Sequence, residues 1–172
     1  QFSHDERSII SVGTKVVQWG ELGREKLATC KPFAHPGYLD ISPANNLVAV
    51  KNTAGRIALL SHSTLEPIEQ QEFSMSNEGC GFLFSPCGQI LISGSWTGEI
   101  LLRDISTGEV VLSEMREGEM ITSLSCTADR KTFSYVRQPK AVGRGALPPS
   151  IIIVRDWPFL MNDEKIIEGN WQ

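Results

Sequence analysis

The chain has 172 residues, the size of one ordinary domain, and 41% of them are apolar while 21% are charged, so it can build a packed core and is not a disordered tract. A formal net charge of −4 is too mild, and of the wrong sign, for a general nucleic-acid binder. The strongest apolar run, Ile151 to Val154, is far too short to span a bilayer.

Short apolar runs follow one another along the chain, separated by turn residues. Phe2-Ser3 closes a first run; Ser8 to Val12, Lys15 to Trp19 and Lys26 to Cys30 come after it. Ile41-Ser42-Pro43 closes the next, followed by Leu47 to Val50, Arg56 to Leu60 and Ile68 to Phe73. Phe84-Ser85-Pro86 precedes Gln89 to Ser93, Glu99 to Leu102 and Glu109 to Ser113. Cys126-Thr127-Ala128 precedes Lys131 to Val136, Ser150 to Val154 and Lys165 to Glu168. Ser3, Ser42, Ser85 and Thr127 thus recur at intervals of about 40 residues, which is the signature of a repeated supersecondary unit. Pairs such as Thr97-Gly98 and Thr107-Gly108 supply the backbone angles that tight hairpins need. No stretch carries an i, i+3, i+4, i+7 stripe better than it carries strand runs.

Four short strands per unit, the second and third apolar on both faces and the fourth more polar, suit a β-propeller, where each blade packs between two others. The stretch FSPCGQILISGSWTGEILLRDISTGEV, with Phe84-Ser85-Pro86 and Gly88 at its first turn, Ser93-Gly94-Ser95 and Gly98 at its second, and Ile100 to Asp104 as third strand, resembles a blade of the WD40 family. The resemblance covers nearly the whole chain, strongly over 80–113. The pair that names the family reads Trp19-Gly20, Leu60-Ser61, Arg103-Asp104 and Arg155-Asp156 here, and Thr97 replaces the hairpin aspartate. The resemblance therefore implies divergent blades held by packing more than by the family's buried His–Ser–Trp–Asp network. The expected fold is all-β, a propeller of about four such blades over 1–34 (lacking most of its first strand), 35–76, 77–116 and 117–172. Because an open stack would expose apolar sheet faces, the expectation is a part of a larger ring, with a half-propeller that pairs with a second chain as the alternative.

Chemistry-bearing residues are sparse. Cys30, Cys80, Cys87 and Cys126 form no Cys-x-x-Cys pair, and a domain with its own core does not need disulfides; free thiols in a reducing, intracellular (cytoplasmic) setting are expected. No leader pattern opens the chain. His4, His35 and His62 fall at different phases of the repeat and should not converge. No metal-binding spacing is present, and no cofactor is implied. Ser95, within Gly94 to Gly98, joins strand to strand and is misplaced for a nucleophile elbow. Asp40 alone cannot serve as an acid/base pair.

Binding features stand out more. Trp96 sits in a tight turn with little to cover it, and tryptophan is enriched among interface hot spots. The corresponding turn of the fourth unit is expanded to Arg137–Ser150 and carries Arg137, Lys140 and Arg144 without an acid. These cations could dock an acidic or phosphorylated peptide. The function expected from these residues and from the resemblance is a non-enzymatic scaffold for protein–protein contacts, with partner proteins and further blades as partners. The alternative is a propeller hydrolase or lyase whose central-channel site is completed by blades outside this chain.

Overall fold

A computed structural model describes residues 1–3, 6–20, 23–74, 81–140, 149–156 and 165–168. The described residues form fifteen strands arranged as four antiparallel sheets. The chain divides into two compact units, Gln1–Ser76 and Asn77–Gln172, each containing two of the sheets.

In the first unit, β1 (Ser8–Val12), β2 (Val16–Gly20) and β3 (Glu25–Cys30) make a three-stranded meander. Gln1 to Ser3 lies along the outer edge of β1. Phe2 bridges Ile9, and the backbones of Gln1 and Ile10 exchange hydrogen bonds of 2.8 Å. The second sheet is four-stranded: β4 (Pro36–Ile41), β5 (Leu47–Asn52), β6 (Arg56–Ser61) and β7 (Pro67–Ser74). Ile10 and Val16 of the first sheet pack with Ile41, Val48, Val50, Ala58 and Leu60 of the second, and Phe33 and Leu65 close the cluster from the connections. Val48, Ala49 and Val50 are all fully buried although successive side chains point to opposite faces, as a central strand covered on both sides requires.

In the second unit, β8 (Phe82–Phe84), β9 (Ile90–Gly94), β10 (Glu99–Asp104) and β11 (Val110–Met115) form one meander, and β12 (Glu119–Cys126), β13 (Thr132–Pro139), β14 (Ile151–Asp156) and β15 (Lys165–Glu168) the other. Ile92, Ile100 and Leu102 from the first meet Ile121, Phe133, Tyr135 and Ile153 from the second. Burying each such side chain contributes about 2 kcal/mol. In β14 only Ile153 is fully buried; Ile151, Ile152 and Val154 are half-buried, so this strand is less enclosed than its apolar run suggests.

One turn recurs in all four sheets. The backbone N–H groups of Ser3, Ser42, Ser85 and Thr127 donate to the carbonyls of Ser8, Leu47, Ile90 and Thr132. The hydroxyls of Ser3, Ser85 and Thr127 accept in return from the N–H groups of Ser8, Ile90 and Thr132, at 3.0, 3.0 and 3.2 Å. Ser42 instead accepts from the Asn45 N–H at 3.2 Å. Three of these turns need a left-handed residue three positions after the hydroxyl: Glu6 (φ 57°), Gly88 (φ 69°) and Arg130 (φ 55°). Only glycine adopts this at no cost; in Glu6 and Arg130 it costs about 1 kcal/mol. Arg130 also donates from its guanidinium to the Phe84 carbonyl at 3.2 Å, tying the two sheets of the unit together.

The hairpins between third and fourth strands share a second pattern. Ser61 and Asp104 each donate N–H to the carbonyl five residues on, Glu66 and Glu109. Gly108 (φ 76°) and Leu65 (φ 57°) occupy the left-handed position. Leu65 tolerates it because its side chain is buried in the core of the first unit. Asp104 caps its hairpin, its Oδ1 accepting from the Ser106 N–H at 2.7 Å, the Ser106 hydroxyl at 2.6 Å and the Thr107 N–H at 3.1 Å.

The outermost strand of the third sheet departs from the expected polar character. Val110, Val111 and Met115 of β11 are 46%, 59% and 52% exposed. Its ladder with β10 shifts register between Leu112 and Val110, leaving Val111 as the extra, outward residue of a bulge. Leu27 of β3 is exposed for the same reason, at the register shift between Ala28 and Lys26.

Two side chains lock the sheets of the second unit at their outer side. Arg155 donates from both Nη atoms to the Glu114 carboxylate, each at 2.9 Å, and its guanidinium lies 5.7 Å from the centre of the Tyr135 ring. Hydrogen bonds from Arg155 hold the Glu114 carboxyl below its ordinary range; partial burial opposes them, and the charges of Arg155, Arg116 and Arg137 add to them. Arg155→Ala should cost about 2 kcal/mol of stability in urea unfolding, because it strands Glu114 and uncovers Tyr135. The folded pKa of Glu114 lies below its unfolded value, so its contribution is present above the ordinary glutamate range and is lost as pH falls through the folded value. The urea-midpoint difference between wild type and Glu114→Gln should therefore hold near neutral pH and shrink below the ordinary glutamate range; a difference unchanged into acid would contradict this.

Candidate protein-interaction surface

Three connections meet at one end of the second unit. They are the β9–β10 hairpin (residues 95–98), the β11–β12 connection (residues 116–118), and the start of the β13–β14 connection at Lys140. Ser95 builds the hairpin: its hydroxyl accepts from the Glu99 N–H at 3.0 Å and lies 2.7 Å from the Thr97 hydroxyl. The Gly98 N–H donates to the Ser95 carbonyl at 3.1 Å. The hairpin is then fastened to the β11–β12 connection. The Arg116 N–H donates to the Gly98 carbonyl at 3.1 Å, and the Ile121 N–H to the Ser95 carbonyl at 2.9 Å. From the other side, the Lys140 N–H donates to the Gly118 carbonyl at 2.8 Å. A backbone bonded in this way has little freedom, so the side chain at residue 96 projects from a fixed main-chain position.

Trp96 is that side chain. It is 45% exposed, among the largest exposed apolar surfaces of the described residues. The structure brings it together with two of the three expected cations. Lys140 is exposed and has no ion-pair partner among the described residues. Arg137 has a different role from the one expected of a loop cation. It belongs to β13, which runs through Pro139, and it forms a forked ion pair with Glu119 of β12, Nε to Oε2 at 2.6 Å and Nη2 to Oε1 at 3.1 Å. The connection therefore begins at Lys140 and not at Arg137. The reason is a partner eighteen residues earlier that local composition does not reveal. Arg144 lies outside the described residues.

The sequence reading passed over Arg116 and Glu119. Arg116 is exposed on the same framework and has no ion-pair partner among the described residues. The signal was the short charged run Arg116-Glu117-Gly118-Glu119 between two strand runs.

The other residues singled out from sequence are placed elsewhere. Asp40 is buried and accepts from the Gln1 side-chain amide at 3.0 Å. His35 is exposed in the left-handed conformation (φ 54°), and His62 lies in the β6–β7 hairpin; His4 is outside the described residues. Cys30, Cys87 and Cys126 are free thiols, and Cys80 is outside the described residues. Partial burial raises the Cys30 pKa, against a weaker lowering by the Lys31 backbone. Cys87 is exposed, its sulfur 3.3 Å from the Ser85 hydroxyl. Among the described residues no group of three or more His, Cys, Asp or Glu side chains could hold a metal ion, and no helix is long and apolar enough to cross a membrane.

No protein-family model matches the chain. No curated protein matches it either. Among solved structures the fold is widespread, with 900 matching chains, so likeness of this kind identifies an architecture and not one activity. U3-55K, a WD40 β-propeller protein, superposes with a TM-score of 0.74 at 15% sequence identity, over 99% of this chain and 51% of that one. The chain thus spans about half the length of that structure. At this identity the likeness establishes an all-β, β-propeller-like fold.

The framework can be tested through two glycines. Gly98 has φ +95°, and a Cβ there would press into the Arg116 carbonyl oxygen and lie 2.9 Å from that of Glu119. Gly118 has φ +79° with nothing within 4 Å of an added Cβ. Gly98→Ala should therefore cost about 3 kcal/mol, and Gly118→Ala about 1 kcal/mol, in urea unfolding. Equal costs would show that the hairpin does not rest on the β11–β12 connection.

Proposed function

We propose that this chain is a segment of a divergent WD40-like propeller, with blades over 1–34, 35–76, 77–116 and 117–172, and that it works as a non-enzymatic scaffold for protein–protein contacts. Further blades, from the same polypeptide or from a second chain, complete the ring in this reading, and the setting is the interior of the cell. The partner docks on the surface that carries Trp96, and the cations Lys140 and Arg144 favour an acidic or phosphorylated segment. Support for the fold-level part comes from the likeness to a WD40 propeller at a TM-score of 0.74. The observation that carries the functional part is Trp96, 45% exposed on a hairpin whose backbone is bonded to the neighbouring connection. An exposed aromatic ring on a fixed backbone offers a large contact area at little backbone entropic cost, which suits an interface hot spot. Rigid discs with freely varying loops suit such a role, since the loops can change without disturbing the sheets.

The experiment is affinity capture with the full-length protein, identification of the captured proteins by mass spectrometry, and comparison with Trp96→Ala. The variant should unfold within about 0.5 kcal/mol of wild type, because its ring is not part of the core. It should lose the specific partner by tenfold or more. Replacement of Lys140 and Arg144 by alanine should weaken capture most at low salt. A partner retained undiminished by Trp96→Ala would rule out this surface.

A further inference from the structure

The sheet-on-sheet contacts within the two units obey one rule. In the first unit Ile10 of the β1–β3 sheet packs on Val48 and Val50 of the β4–β7 sheet. In the second, Ile92 of the β8–β11 sheet packs on Phe133 and Tyr135 of the β12–β15 sheet. Counted from the recurrent turn hydroxyls, Ile10 and Ile92 are each the seventh residue after Ser3 and Ser85. Val48 and Phe133 are the sixth, and Val50 and Tyr135 the eighth, after Ser42 and Thr127. Neighbouring positions on a strand point to opposite faces. Each sheet thus has a giving face, marked by its seventh residue, and a receiving face, marked by its sixth and eighth.

Two such faces are only partly covered. On the β1–β3 sheet the receiving face carries Phe2, Ile9 and Trp19, paired in a row, and Val17 beside Ser11. The same row in the β4–β7 sheet is Ile41, Val48 and Leu60, with Ala58 beside Val50. Those five are buried, whereas Phe2 is 56% exposed and Ile9, Val17 and Trp19 are half-buried. The Trp19 indole N–H donates to the Ser11 hydroxyl at 2.9 Å, which holds the ring across this face. On the β12–β15 sheet the giving face carries Val136 paired with Ile152, and Ser134 paired with Val154. Ile152 and Val154 stand where Ile100 and Leu102 stand in the β8–β11 sheet. Ile100 and Leu102 are buried; Val136, Ile152 and Val154 are half-buried.

We propose that a second copy of this chain covers both faces, the giving face of the β12–β15 sheet in each copy packing on the receiving face of the β1–β3 sheet in the other. The proposal rests on the reading of the chain as a propeller segment. Three observations name the occupant. The two open faces are opposite in kind, so the chain is complementary to a copy of itself. Aliphatic side chains at the positions of Ile152 and Val154 are what a receiving face takes in the covered contact of the second unit. The chain also spans about half the length of the solved propeller on which it superposes, so two copies have the length of one closed ring. A two-fold pair makes the same contact twice and leaves neither apolar face in water.

The test is sedimentation velocity on the whole chain across a dilution series. Wild type should have the mass of two chains and dissociate on dilution. Val17→Lys on the receiving face and Ile152→Lys on the giving face should each raise the dissociation constant tenfold or more, since each buries a charge in the contact. Phe2→Lys, at a position already exposed, should do the same without threatening the fold. An equimolar mixture of Val17→Lys and Ile152→Lys should recover dimer, because one of its two contacts joins an unaltered giving face to an unaltered receiving face. A wild type that is monomeric throughout, or that forms species larger than two chains, overturns the proposal. So does a dimer lost in Val17→Lys and kept in Ile152→Lys, which would mean that like faces pair. Should either lysine variant fail to melt like wild type, hydrogen exchange of wild type across the dilution series decides: β2 and β14 should both gain protection in the dimer, and a gain in one alone overturns it. If the chain is monomeric while Trp96-dependent capture of a partner persists, this proposal falls and the scaffold reading stands; if the Trp96 dependence is absent as well, both fall.

Discussion

Everything described in each unit depends on one meander burying its apolar face against another. A four-stranded antiparallel sheet whose central strands are apolar on both faces leaves one apolar face in water unless another sheet covers it. In the second unit Ile92, Ile100 and Leu102 are buried against Ile121, Phe133, Tyr135 and Ile153 of the other sheet. The polar clamps follow from that contact. Arg155 can fork onto Glu114, and Arg130 can reach the Phe84 carbonyl, because the apolar cluster has already set the two sheets against each other. The interaction surface inherits its rigidity from the same source. The Trp96 hairpin bonds to the β11–β12 connection, which is the segment that passes from one packed sheet to the other.

This order of causes separates what a substitution can change. Loops at the end of the unit hold backbone bonds, exposed cations and one exposed tryptophan, and few of these groups contribute to the core. Their side chains can vary with little effect on stability, provided Gly98 and the Ser95 hydroxyl are kept. The core residues have the opposite character: they specify the architecture and carry no information about a ligand. That division is why a likeness at 15% identity can establish the fold and leave the partner to be found by experiment.

Much of the fold was legible because it is written in short-range chemistry. Ser3, Ser42, Ser85 and Thr127 mark the turns because a hydroxyl there accepts a backbone N–H that the turn would otherwise leave unpaired. The runs LVAV and ILIS mark central strands because β-branched and aliphatic side chains fill both faces. Other features could not be read locally. Glu6, Leu65 and Arg130 take the left-handed conformation that glycine takes at Gly88 and Gly108, since hydrogen bonding and burial outweigh a cost of about 1 kcal/mol. The outward placement of Val111 arises from a bulge, which depends on pairing with β10 and not on β11 alone. Of the site, Trp96 and Lys140 were visible as an uncovered aromatic and an unopposed cation. The pairing of Arg137 with Glu119 was not, because it joins two strands through a tertiary register.

The packing of sheet on sheet is tested most directly by native-state hydrogen exchange on Ile121→Ala. Ile121 belongs to β12, is fully buried, and shares its cluster with Ile92, Ile100 and Leu102 of the other sheet. If that contact holds the unit together, the truncation should accelerate exchange of the central amides of β9 and β10 as much as those of β12 and β13, because both sheets open as one cooperative unit. Acceleration confined to β12 and β13, with β9 and β10 protected as in wild type, would contradict it.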